Sequence, residues 1–287
     1  MRPGPARATA LGAIAVLLWS ALALLTVGAG RLPPFQLLAL TFGVAGVLGF
    51  LLSVFRRKSL VAAVRAHPGA LLLTTSALAG YHFFYFVALR NAPAVDASLI
   101  AYLWPLLIVL FAGIAHGGLR PAHLAGAALG LLGTWLVVST RGPLALEAAY
   151  AIGYAAAAAC ALIWSAYSVV NRRFAGAPVD VVTLACLATA LLGALAHLLF
   201  ERSVAPAPLE WLAVVLLGLG PVGAAFFLWD YGTKHGHLPL LGVLSYAAPV
   251  LSTLLLVAAG AAEPTWQLAA GALLVGGGAA LASWPRR

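Results

Sequence analysis

The feature that most constrains this chain is a succession of ten apolar segments, each long enough to cross a bilayer, separated by gaps too short to fold alone. A helix rising about 1.5 Å per residue needs roughly 20 apolar residues to span the hydrocarbon core. By that measure the spans fall at 8–30, 34–55, 70–91, 94–115, 122–140, 148–174, 178–200, 209–235, 238–259 and 266–284. Prolines and cations mark the gaps: Pro33-Pro34, Arg56-Arg57-Lys58, Pro93, Pro121, Pro143, Pro178, Pro206, Pro208, Pro239 and Pro264. Arg2 and Arg7 precede the first segment, as in a signal peptide. The segment nevertheless outruns an h-region of roughly 7–15 residues and carries Trp19 at its centre. It reads as a retained helix.

Composition excludes a soluble domain. Hydrophobic residues fill 63% of the 287 positions and charged residues only 8%, where a soluble domain is about one-quarter charged. The net charge of +9 does not signal nucleic acid, because the cations sit in the gaps and at the termini rather than in a basic stripe. With a cytoplasmic N terminus, 12 of the 16 cations fall on the cytoplasmic side, leaving Arg31, Arg90, Arg141 and Arg202 outside. The positive-inside rule therefore puts both termini in the cytoplasm of a multi-pass inner-membrane protein. Cys160 and Cys186 lie inside apolar stretches and read as small core residues, not as a disulfide or metal ligands.

The chain repeats itself at a shift of about 144 residues. Leu18-Trp19-Ser20-Ala21 returns as Ile163-Trp164-Ser165-Ala166, and Tyr102-Leu103-Trp104-Pro105 as Tyr246-Ala247-Ala248-Pro249. Arg90-Asn91 falls on Lys234-His235. The halves are expected at 1–143 and 144–287, with five spans each. Five is odd, so the second half enters the membrane inverted, an arrangement of secondary transporters with the working site near the midplane.

Depth along each segment then selects candidates. Trp19, His82, Tyr85, Tyr102, Trp104, Trp164 and Tyr246 lie near span centres, with Ser245 beside the last. Tryptophan and tyrosine normally favour the interfacial belt, the role assigned to Phe35, Trp211, Trp266 and Trp284 at span ends. A midplane ring needs a polar partner from a neighbouring helix or a wet cavity. An imidazole at that depth, such as His82, faces the bundle interior or water. Pro105 and Pro249 free a carbonyl at mid-membrane and supply hinges. Asp230 and Lys234 are spaced for an i,i+4 pair and for a gating role. The runs Gly126–Gly130–Gly133 and Gly276-Gly277-Gly278 allow close packing or a homodimer through segments 5 and 10.

Ten spans as five plus five, a Trp-Ser in the first helix of each half and a mid-helix proline in the fourth resemble the drug/metabolite transporter superfamily, EamA type. The aromatic-rich middle is most similar to the bacterial aromatic amino-acid exporters. The resemblance implies a basket of helices 3, 4, 8 and 9, with 1 and 6, around a central cavity and outward movement of solute. The function expected is export of aromatic or large neutral amino acids by alternating access, without cofactor or metal. A multidrug or other metabolite exporter is the alternative of the same architecture. A membrane-embedded enzyme is the alternative of another class, although no HExxH, paired midplane carboxylates or nucleophile with an evident base occurs.

Overall fold

The computed structural model describes residues 4–284 apart from 118, 141, 143 and 145, and only the backbone of residue 116. Arg2, Arg141, Arg286 and Arg287 of the charge count lie outside these residues, as does Pro143, where the halves are expected to meet. The described chain is all-helical. Ten of its helices are long and apolar enough to cross a membrane: α1 (Pro5–Gly28), α2 (Pro34–Phe55), α3 (Pro68–Asn91), α4 (Ala94–Ala115), α5 (Pro121–Ser139), α6 (Ala148–Phe174), α7 (Asp180–Phe200), α8 (Pro208–His235), α9 (Leu238–Ala258) and α10 (Trp266–Ser283).

Local chemistry sets their ends. α1, α2, α3, α5 and α8 each begin on a proline, whose preset φ and missing N–H suit the first helical position. The turns after α1 and α4 use Gly30 and Gly117 at φ of +62° and +71°, a region that costs glycine nothing. A short helix, Leu60–Ala66, lies between α2 and α3, capped by the Ser59 hydroxyl. Its length is below any membrane threshold, and the hydropathy pattern does not reveal it.

Several spans are interrupted near mid-membrane. α4 breaks at Tyr102-Leu103 and α9 at Tyr246, each a few residues before the proline that cannot donate to the carbonyl one turn back. α8 instead widens into a π-turn over Gly220–Ala224, around Pro221.

The main helix pairings all cross between the halves: α1 with α8, α2 with α7, α3 with α6, α4 with α9, and α5 with α10. Exchanging the halves maps this set onto itself, since α3–α6 becomes α8–α1. That is the pseudo-two-fold arrangement an inverted repeat requires. At the α5–α10 crossing the backbones nearly touch: a Cβ on Gly126 would stand 2.6 Å from the Gly278 carbonyl oxygen, and one on Gly133 would stand 2.8 Å from that of Gly271. Gly130 meanwhile faces the Tyr246 ring. Gly126, Gly130, Gly133 and Gly278 thus serve packing within one chain, whereas Gly276 and Gly277 face open space, and nothing in the fold supports a homodimer through helices 5 and 10.

Candidate functional site

Four tryptophans meet where the halves join. Trp19 of α1 and its repeat-related Trp164 of α6 lie with ring centroids 5.7 Å apart. Trp104 of α4 and Trp229 of α8 stand 6.3 and 5.1 Å from Trp19, and Phe226 fills the side of the cluster at 5.9 Å. Trp229 also lies 5.8 Å from Trp104 and 6.3 Å from Trp164. An indole N–H in hydrocarbon needs an acceptor. Trp19 donates to the Pro221 carbonyl at 3.0 Å, inside the π-turn of α8. Trp229 donates to the Ser168 hydroxyl at 3.1 Å, which in turn donates to the Trp164 carbonyl at 2.8 Å.

α3 adds a second wall. His82 packs edge-on against Phe42 at 5.1 Å and Tyr81 at 5.5 Å. Its Nδ1 lies 2.7 Å from the Leu78 carbonyl. A carbonyl only accepts, so Nδ1 carries the proton and Nε2 of the neutral ring is an acceptor. Tyr85 stacks on Tyr81, which reaches Trp164 at 5.8 Å.

The remaining candidates stand elsewhere. Tyr246, expected among the tryptophans, is fully buried on the α5 side with Val109 and Val137, its hydroxyl accepting the Leu106 N–H at 3.2 Å. Depth places it correctly, but its direction around the helix axis points to Gly130. Ser245 donates to the Leu241 carbonyl of its own helix. Tyr102 packs on Val95, Leu99 and Val138. Sequence reasoning passed over Trp229, Phe226, Tyr167 and Phe42, all of them buried in the same aromatic core.

Polar groups tie the helices together on either side of this cluster, buried on one side and reaching a half-exposed Arg90 on the other. On the side of the N terminus, here the N side, Lys234 and Asp230 form an ion pair of 2.9 Å, each side chain 3% exposed. Asn171 of α6 donates to Asp230 Oδ1 and to the Thr233 hydroxyl, both at 3.0 Å, and Lys234 also reaches the Ala177 carbonyl. On the opposite side Arg90, the repeat counterpart of Lys234, lies 3.7 Å from Glu201. Glu201 accepts the Phe35 and Gln36 N–H groups at the start of α2, and His197 stands 2.9 Å from it.

Below the N-side ion pair a cavity of about 530 Å³ opens among α1, α4, α5, α6, α8 and α9. Arg120, Arg172, His123, His235 and His237 line it, and no carboxylate does among the described residues. His237 caps α9, its Nδ1 accepting the Leu240 N–H at 3.2 Å. Desolvation first, then the charges of Arg172 and Arg120, push its imidazole below the usual histidine value, which agrees with a ring that must stay unprotonated at Nδ1.

The two halves find a counterpart among known proteins. The EamA-like transporter family matches residues 7–139 and again residues 151–284. The chain belongs to the EamA-like transporter family. Membership makes it a transporter rather than an enzyme, and a multi-pass protein of the bacterial inner membrane. Among EamA-like relatives, the aromatic amino acid exporter YddG of Ancylobacter novellus is 55% identical over 278 residues, 96% of either chain. Exporters of the same name from Salmonella typhimurium and Escherichia coli are each 27% identical, over 87% and 96% of either chain. A solved crystal structure with 54% identity superposes with a TM-score of 0.91, over 96% of this chain and 97% of that one.

Proposed function

We propose that the protein exports aromatic or other large neutral amino acids by alternating access, with its N terminus in the cytoplasm. The observation that carries this reading is the meeting of Trp19, Trp104, Trp164 and Trp229 at the junction of the two halves. Their rings offer flat apolar area to an aromatic side chain, and a solute amino group over a ring gains about 0.5–2 kcal/mol. The acceptor Nε2 of His82 suits the same amino group. The similarity to exporters named for aromatic amino acids supports this choice over a drug.

The two halves would rock about the pseudo-two-fold axis, with the interruptions of α4 and α9 near Pro105 and Pro249 as hinges. The Asp230–Lys234 pair with Asn171 would hold the N side closed, and Arg90–Glu201 the opposite side. No ATP-binding motif occurs, so ATP does not drive transport directly, which leaves the solute gradient, an exchanged solute or a coupled proton as the driving force.

Counterflow tests the reading. Proteoliposomes preloaded with unlabelled phenylalanine or tryptophan should accumulate labelled phenylalanine, and vesicles preloaded with glutamate or buffer should not. Equal uptake whatever is preloaded, or none with any amino acid, would remove the amino-acid assignment.

A further inference from the structure

The N-side cavity lies outside the aromatic cluster, and its chemistry is one-sided. Arg120 gives one N–H to the Trp284 carbonyl at 2.9 Å and Arg172 one to the Gly236 carbonyl at 3.2 Å. Neither forms an ion pair among the described residues. α1, α5 and α9 begin at the rim, at Pro5, Pro121 and Leu238, while α4, α6 and α8 end there, so the helix dipoles largely offset one another and the side chains set the sign of the site. With Nδ1 of His237 accepting from Leu240, the neutral ring carries its proton on Nε2 and offers a further donor. A concave site of this size, within the roughly 300–1,000 Å³ of small-molecule pockets, rich in donors and free of carboxylates, selects a small anion.

Its place in the bundle says which anion. α1, α4, α6 and α8 carry the four tryptophans and also reach this cavity. Arg172 follows Trp164 by eight residues and His235 follows Trp229 by six, so the cavity lies roughly 10 Å below the aromatic cluster. Leu238 lines the cavity, and Ile108 and Leu241 lie one helical turn above the lining residues Ala112 and Leu238, all three fully buried. A cavity facing lipid headgroups would open at the bundle periphery. This one is lined by the N-side ends of the four helices that carry the tryptophans.

We propose that the cavity is a loading site, where Arg120 and Arg172 hold the carboxylate of the amino acid before the plug of Ile108, Leu238 and Leu241 opens. The inference rests on the export reading above. The cavity captures the charged end, and the aromatic cluster, which has no cation at its depth, takes the side chain and the amino group.

Thiol protection tests it without requiring transport. Cys160 and Cys186 are buried, so Pro5→Cys at the rim supplies one reactive thiol for a fluorescent maleimide in detergent. Phenylalanine should slow labelling several-fold, while phenylalaninamide, lacking the carboxylate, should not. In an Arg120→Gln background about tenfold more phenylalanine should be needed, the loss of one charge-assisted hydrogen bond. Arg172→Gln should behave alike, and Arg172→Lys should retain part of the protection. Equal protection by the amide, or none by phenylalanine, overturns the loading site. So does protection seen only with inorganic phosphate or after adding phosphatidylglycerol, which would give the site to a headgroup. Counterflow on the same preparation separates the two readings. Counterflow without protection overturns the loading site alone. Protection without counterflow overturns the export reading and leaves the carboxylate site standing.

Discussion

Lys234→Met is expected to destabilise the protein by about 3–5 kcal/mol, the usual cost of stranding one partner of a buried ion pair. Lys234 and Asp230 are each 3% exposed and sit 2.9 Å apart, so the variant leaves a carboxylate in the bundle with Asn171 as its remaining side-chain donor. A buried anion with no counter-ion is the costly state, not the absence of a salt bridge. The double variant Lys234→Met with Asp230→Asn should therefore recover most of the loss, because the neutral amide can still accept from Asn171. Thermal unfolding in detergent checks this: a large fall for the single variant and a small one for the double. If both fall alike, the pair contributes through its attraction. If neither falls, the pair is hydrated in the working protein and the N-side closure is wrong.

Trp19→Ala is the second large effect, about 3 kcal/mol, the lower end of the cost of removing an aromatic ring from a packed core, because Trp19 is partly rather than fully buried. Trp19 touches Trp104, Trp164, Phe226 and Trp229 at once, so the space left behind is walled largely by aromatic rings. Such a cavity stays dry and accepts an apolar ligand. Indole should raise the melting temperature of Trp19→Ala and leave the parent protein unchanged. Trp19→Phe fills the space but leaves the Pro221 carbonyl without its indole donor, and about 1–3 kcal/mol should be lost. Transport should suffer in both variants, chiefly through KM for phenylalanine. A Trp19→Ala protein of unchanged stability and KM would show that this ring neither packs the core nor meets solute.

The spans were legible because a bilayer imposes a length and hydrocarbon tolerates few charges. Segments 2, 4 and 6 have the limits expected, and the others begin or end within three residues of them. The repeat was legible because Trp19 and Trp164 keep their neighbours at a fixed shift, and these two rings meet in the fold. Direction around each helix axis was not legible. Phe35 lies at a span end and was assigned to the interface, but it is buried against Phe86 and Phe200. Tyr246 has the right depth and points to α5. Trp229 sits near the N-side end of α8, where a depth count gives a belt residue, yet it is fully buried in the cluster. The π-turn of α8 at Gly220–Ala224, whose Pro221 carbonyl serves Trp19, was not anticipated, because segment 8 read as one uninterrupted span. The basic cavity was hidden for a related reason. Its five cationic or imidazole side chains come from the ends of α5, α6 and α8 and the loop before α9, and a charge count by loop records their sign without bringing them together.

Whether solute sits among the four tryptophans is decided by photolabelling with radiolabelled 4-azidophenylalanine, followed by mapping of the adducts by mass spectrometry. Adducts are expected in α1, α4, α6 and α8 around Trp19, Trp104, Trp164 and Trp229, suppressed by excess phenylalanine. Adducts confined to the α5–α9 face around Tyr246, or spread over the lipid-facing surface and indifferent to phenylalanine, would contradict the aromatic site.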